Sequence, residues 1–420
     1  MKKKNTKSKN KDVGHIKGCQ ICGDDIAIVF SLGHQPVTQR YLTEETLHEP
    51  ETLFPLNLSR CSNCGLLQLD YIVDPEVVFA KDYPYRTGLT KMLIRNFEEL
   101  AETVHRLYVI NNNDLVVDIG SNDGTLLKPF KAKGARVVGV EPTDAAKDAN
   151  KAGIPTVQAY FDAKSSEKVV KKYGKARFLT ATNAFAHINE LPALMKAVKN
   201  LMDKDSVFIS ESQYLMDILA KNEFDTIYHE HLRFYSLKPL QKLFEIHGMS
   251  LVDAERISAA GGSIRAYAMN GKRPMSERLR KLIKEEEKAG IYDEQTYRKF
   301  AEKNITAKNE FLSLLLRLKS EGHKIVGLTS SARSNSLLGF CKIDDKILDY
   351  LAEKDGSPKI GLFAPGSHIR VVSESELLKD QPPYLAVLSW HIGDELVEKM
   401  KSIGYKGKFI IPLPLAKIIE

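Results

Sequence analysis

The stretch VVDIGSNDGTLL, Val116 to Leu127, decides the fold. An apolar run too short for a helix, LVVDIG from Leu115, ends at Gly120, and a helical period follows Gly124. RVVGVE from Arg136, ARFLTATN from Ala176 and SVFISES from Ser206 repeat the texture, with amphipathic segments between them. Strands that alternate with helices predict an α/β fold built on a doubly wound parallel sheet. SLVDAERIS from Ser250 and SIRAYAMN from Ser263, separated by a short Ala-Ala-Gly-Gly turn, predict an antiparallel hairpin closing that sheet.

Reading outward, residues 275–321 are charged with a helical period and form a helical connector. A second, smaller α/β domain over 322–420 is expected from HKIVGLTSS at His323, GLFAPG at Gly361, HIRVVSE at His368, YLAVLSW at Tyr384 and KFIIPLP at Lys408. On the amino-terminal side, Cys19/Cys22 and Cys61/Cys64 form two C-x-x-C pairs, which suit one structural Zn²⁺ in a closed tetrahedral thiolate shell. The zinc module is placed at 13–80, with loop-like spacers between the knuckles; Gln35, Pro36, Arg40 and Tyr41 have room there to pack elsewhere. Cys341 is left over as a small buried hydrophobe. Residues 1–12 read as a disordered basic tail, because six lysines fall in the first eleven residues; without them the excess of 61 Lys and Arg over 54 Asp and Glu nearly vanishes. A near-neutral folded region argues against nucleic acid as a partner. No apolar run is long enough for a bilayer and no signal peptide is legible, so a cytoplasmic protein without a membrane partner is expected.

The central domain, 81–274, carries the chemistry. A dinucleotide loop needs G-x-G-x-x-G, whereas this turn reads Gly120-x-x-x-Gly124 with Asn122 at the second glycine position. Together with the acidic end of the second strand, Glu141, it resembles the S-adenosylmethionine site of class I methyltransferases. Asp118, Gly120, Asn122, Asp123, Gly124 and Glu141, with Phe161 and Asp162 after the third strand and Asn183 after the fourth, are the candidate cofactor residues. FDTIYHEHLRFYS, Phe224 to Ser236, sets Tyr228, His229, Glu230 and His231 in a row, and His187 lies at the end of the fourth strand. The residues alone leave open a polar surface loop, a metal site of His187, His229 and His231, or an acid–base site.

The four-cysteine module, VVDIGSNDG, TNAFAHI, YHEH with Tyr-Ser following, GGSIR, PGSHI, LSW and IPLP together resemble the S-adenosylmethionine-dependent sugar C-methyltransferases that act at C-3 of nucleotide-linked 4-keto deoxysugars. The resemblance covers nearly the whole chain. It implies a class I methyltransferase Rossmann-like sheet flanked by a zinc module that helps cover the substrate and a carboxyl-terminal domain that holds the nucleotide diphosphate. It makes His231 the base, with Tyr228, Glu230 and His187 around it; Glu230 is expected to orient its neighbours. Tyr83 and Tyr85 look like the family's tyrosines near the sugar, and His229 and His368 are expected as further substrate residues. Where the family loop reads close to GYGAPAKGNTLLN this chain has GLTSSARSNSLLG, Gly327 to Gly339, and Ser330, Ser331, Arg333 and Asn335 are expected to hold the diphosphate there. The physical chemistry agrees, since a proton alpha to a ketone leaves only to a near-neutral base beside donors for the enolate oxygen. A monomer acting on a small molecule is expected. An O-methyltransferase and a zinc-containing RNA-binding methylation factor are the alternatives.

Overall fold

A computed structural model describes residues 13–81 and 83–420; the basic tail lies outside the described residues. The first strand of the central sheet, Leu115–Ile119, is buried along its whole length, which explains its unbroken apolar run. It lies fifth in a seven-stranded sheet that begins at the hairpin edge with Met249–Ile257, then Ser263–Asn270, Met202–Gln213 and Ala176–Thr182. Arg136–Glu141 and Thr156–Gln158 complete the far side. Numbered along the chain the order is 6-7-5-4-1-2-3, and only the seventh strand runs antiparallel to its neighbours, the class I methyltransferase arrangement. The expected closing hairpin is present. All the parallel strands therefore end on one edge, where ligands of such sheets bind.

The segment between the cysteine knuckles is not loop throughout. It pairs as a ribbon, Ile26–Gln35 against Phe54–Cys61, because alternate residues such as Phe30, Leu32, Leu56 and Leu58 bury on one face. Leu67–Leu69 adds a third strand and Arg233–Phe234, from the YHEH stretch, a fourth. The sequence boundary at residue 80 thus cuts a sheet that the central domain completes.

The connector is two helices, Glu277–Lys288 and Glu294–Ser320. Beyond it stands a six-stranded sheet of Val371–Ser373, Leu351–Glu353, Ile325–Leu328, Tyr384–Val387, Lys408–Ile411 and Lys417–Ile419, parallel except for the last. GLFAPG is not one of its strands: Phe363 makes isolated bridges to Leu42 and Arg370. The strand at Leu351–Glu353 takes the position instead; three residues in a charged segment leave little pattern to read.

Zinc module, long helix and carboxyl-terminal sheet share a core. Phe30 meets Phe300 and Phe340 edge-on, and Phe340 meets Phe224 at 4.9 Å between centroids. Burying such side chains contributes about 1.5–3 kcal/mol each, so the carboxyl-terminal sheet and the segment before YHEH are held against one another. No helix of the described residues is long and apolar enough to cross a membrane.

Candidate active site

The carboxyl edge of the central sheet is shaped first by its backbone. Gly120 has φ 72° and faces Ala184 so closely that an added Cβ would sit 2.7 Å from that of Ala184. Asn122 and Asn183 hold φ of 48° and 50°, and the buried Asn183 Oδ1 has no partner. Glu141 accepts from the Asn122 amide at 3.0 Å and the Thr143 amide at 2.9 Å, which points its carboxylate across the turn. Asp118 accepts from Thr180 Oγ1 at 2.7 Å; burial pushes its pKa up to about 7. Gly120, Asn122, Asp118, Glu141, Phe161, Asp162 and Asn183 all line one cavity of about 1800 Å³. Asp162 also caps the helix Ala163–Tyr173 by accepting from the Ser165 amide at 2.7 Å. Asp123 and Gly124 do not reach the cavity: Asp123 accepts from the Gly88 and Thr125 amides, and so ties the 87–89 turn to this edge.

The YHEH stretch enters the same cavity because it is held from both sides. Its Leu232 amide bonds the Ala186 carbonyl at the end of the fourth strand, and the Leu232 carbonyl accepts from the Leu69 amide of the zinc module. His231 Nδ1 lies 2.7 Å from the Thr226 carbonyl, which can only accept, so Nδ1 carries the proton and Nε2 is left with a lone pair. The ring stacks on His187 at 5.0 Å and meets Tyr228 at 4.0 Å. Burial first, and His187 second, hold the His231 pKa well below the usual histidine range; burial and Arg233 take His187 down to about 4. Both imidazoles are neutral at pH 7. His187 rests against Phe79, and its buried Nε2 has no partner.

Glu230 does not orient His231. Its carboxylate accepts from Tyr83 Oη at 2.7 Å and Thr38 Oγ1 at 3.3 Å, and burial pushes its pKa up to about 7. Tyr83 and Tyr85 line the cavity. His229 turns away from it: Nε2 is 3.2 Å from the Pro55 carbonyl and the ring packs on Phe54. A histidine metal site is thereby removed, and among the described residues the four cysteines are the sole cluster spaced to hold a metal.

At the far end of the cavity the carboxyl-terminal sheet contributes Ser331 and Arg333. Arg333 is not free to meet an anion, because Nε and Nη2 each bond an Asp225 carboxylate oxygen at 2.8 Å. Ser331 caps its helix, and Ser330 offers its carbonyl to Tyr41 Oη at 2.5 Å. Asn335 lies outside the cavity and donates to the Thr38 carbonyl at 2.7 Å. His368 lies outside it too, 2.8 Å from Glu51. A cation not singled out from the sequence is Lys359, half-buried in the wall with Nζ 2.6 Å from the Ser330 carbonyl and 3.8 Å from Glu353. Burial works against its charge, yet Tyr41 and Glu353 hold its pKa above the ordinary lysine value. It lies six residues beyond the short strand Leu351–Glu353, which itself leaves little pattern, so no local signal marks it. Thr38 and Tyr41, from the zinc module, reach both parts of the site.

Cys19, Cys22, Cys61 and Cys64 place their sulfurs within 4.8 Å of one another, with Cys19–Cys64 at 3.5 Å and Cys22–Cys61 at 3.4 Å. Tetrahedral Zn–S bonds of about 2.3 Å put sulfurs about 3.8 Å apart, so the shell fits zinc and leaves no open position.

Residues 19–79 match a zinc binding domain model, 92–254 a methyltransferase domain model and 258–414 a C-methyltransferase C-terminal domain model. The C-methyltransferase NovU of Streptomyces niveus is 32% identical over 410 residues, covering 96% of this chain and 97% of that one. Among solved structures, magnesium protoporphyrin IX methyltransferase (ChlM) from Synechocystis PCC 6803 aligns at 13% identity and TM-score 0.36 over 48% of this chain and 99% of that one. The CcbJ methyltransferase from Streptomyces caelestis aligns at 13% identity and TM-score 0.34 over 42% and 90%. Such distant alignments add nothing to the strand order already described.

Proposed function

Because this chain belongs to the S-adenosylmethionine-dependent C-methyltransferase family, we propose that its acceptor is a nucleotide-diphosphate-linked 4-keto deoxysugar, methylated at C-3 through an enolate. The observation that carries this reading is the His231 ring. Its protonated Nδ1 is engaged by the Thr226 carbonyl while the ring lines the cavity that holds Asp118, Asn122 and Glu141. A methyl transfer to oxygen needs no base for a carbon acid; a transfer to carbon beside a ketone does.

S-adenosylmethionine, when bound, supplies an electrophilic methyl group. Asn122, Glu141, Asp162 and Asn183 hold it by its polar groups, and the unpartnered Asn183 Oδ1 supports this fit. His231 Nε2 takes the proton from the substrate carbon. Tyr228 Oη and the unpartnered His187 Nε2 serve the keto oxygen as negative charge grows on it. Tyr83, fixed by Glu230, positions the sugar, and the burial of Tyr228, Glu230 and His231 keeps water from the reacting carbon. At the far end Lys359 takes the diphosphate in place of Arg333, with Lys354 exposed at the mouth. Incubation with S-adenosylmethionine and a panel of nucleotide-linked 4-keto sugars, read by mass spectrometry, tests the proposal: a product heavier by one methyl on carbon supports it, and methylation of oxygen alone overturns it.

A further inference from the structure

His231 can serve as a base only while Nδ1 carries its proton, and the Thr226 carbonyl at 2.7 Å sets that division, being far closer than the Thr226 hydroxyl at 3.5 Å. Thr226 ends a single turn, Phe224–Thr226, that no strand pairing supports. Both of its chain neighbours are gripped by one helix of the carboxyl-terminal domain, Ala332–Cys341. Arg333 holds the Asp225 carboxylate through two bonds of 2.8 Å, and Ser336, three residues along the same helix, donates to the Ile227 carbonyl at 2.7 Å. Trp390 Nε1 adds a bond to Asp225 at 3.0 Å, with the Arg333 guanidinium 5.7 Å from the centre of the indole.

We propose that Arg333 and Ser336 are positioning residues for the base: the carboxyl-terminal domain clamps the Thr226 carbonyl from both sides and so sets the tautomer and direction of His231. This rests on the reading of His231 as the base. A planar guanidinium that makes two parallel bonds fixes a carboxylate in direction as well as place, which a lysine would not do. The hydrogen bond made by one ring nitrogen decides which tautomer an imidazole adopts and so which nitrogen can take a proton. The clamp also links the two ends of the cavity, since Ser389 and His391, on either side of Trp390, line its far wall. A substrate seated there bears on the segment that holds Asp225.

The test uses the full chain with ¹⁵N-labelled histidine, and the His231 signals are identified by their loss in His231→Gln. Long-range proton–nitrogen spectra of the wild type should report the Nδ1–H form of His231. Arg333→Lys and Ser336→Ala should shift it toward the Nε2–H form and slow solvent deuterium entry into the substrate roughly tenfold or more, the scale of a lost outer-shell bond. KM for the nucleotide-sugar should stay within about twofold, the pattern of a change felt in the reacting state rather than in binding. Folded Ser336→Ala protein with the wild-type tautomer overturns the clamp, and so does an Arg333→Lys enzyme that loses KM and keeps its exchange rate. Should Arg333→Lys fail to fold, Ser336→Ala, which removes a single bond, decides alone. A shifted tautomer with undiminished exchange upholds the clamp and removes His231 as the base, so the two readings fail separately.

Discussion

Two mainly parallel sheets in this molecule each present a carboxyl edge to the same cavity, and they build their halves of it differently. On the central sheet the backbone makes the site: glycine and asparagine in left-handed conformations bend the chain after the first and fourth strands, and Glu141 bonds directly to an amide of the turn. On the carboxyl-terminal sheet side chains from distant segments make it. Lys359 meets Ser330 and Glu353, Tyr41 arrives from the zinc module, and Arg333 reaches out to Asp225. A half encoded within one turn can be read from a short motif. A half assembled from four segments cannot, because no local spacing brings Lys359 to Tyr41.

The sharpest way to break the second half is to remove what carries Thr38 and Tyr41 to it. Structural zinc contributes apparent binding free energies of about 10–16 kcal/mol to small modules. Cys61→Ser should therefore lose zinc by metal analysis and become protease-sensitive within residues 19–79, with activity falling because Thr38 and Tyr41 are released. Retained metal and a resistant module would show that the cysteines do not form the staple.

Next in size is the base. His231→Ala should lose about 10²- to 10⁴-fold in turnover, while calorimetry finds S-adenosylmethionine affinity near that of the wild type. Lys359→Ala then separates the halves. Loss of a charge-assisted bond to a diphosphate costs about 1.5–3 kcal/mol, so KM for the nucleotide-sugar should rise by roughly one to two orders of magnitude with cofactor affinity unchanged. Glu141→Ala should do the reverse, weakening cofactor binding by about 1–3 kcal/mol and sparing the affinity for substrate. If either variant moves both affinities equally, the division into two halves is wrong.

The smallest effect is on pH dependence. His231 is held well below the usual histidine range, so its neutral form should persist through pH 6 and put no acid limb near 6.5 on the turnover profile. Glu230 titrates near 7, neutral below that value and ionised above it, and it accepts from Tyr83. The kcat/KM profile should bend near pH 7 in the wild type and lose that bend in Glu230→Gln. A bend that survives assigns the group to Asp118, which lies near the same value.

How far the sequence could be read follows the same division. The strand pattern, the closing hairpin, the four cysteines and the YHEH cluster were legible because each lies within a short run whose period or spacing has a physical cause. GLFAPG misled because an apolar run ending in Pro-Gly bonds across to Leu42 as a bridge, without a ladder. Glu230 and His229 misled for a related reason: adjacency in the chain says nothing of direction, and the strand pairing of Arg233–Phe234 with Leu67–Leu69 turns His229 to the zinc module while His231 faces the cavity. Arg333 reads as an anion ligand at a helix start because its partner, Asp225, lies more than a hundred residues away in the chain. Thr226, whose carbonyl meets His231 Nδ1, carries no signal at all, because a backbone acceptor is the same in every residue.

The central claim is that His231 removes a proton from a substrate carbon beside a ketone. Incubating the enzyme with a nucleotide-linked 4-keto sugar in deuterated water and following the C-3 proton by nuclear magnetic resonance tests it most directly. The account predicts that deuterium enters C-3 with the wild type and not with His231→Ala, whose cofactor affinity remains intact; exchange by the variant at the wild-type rate would contradict it.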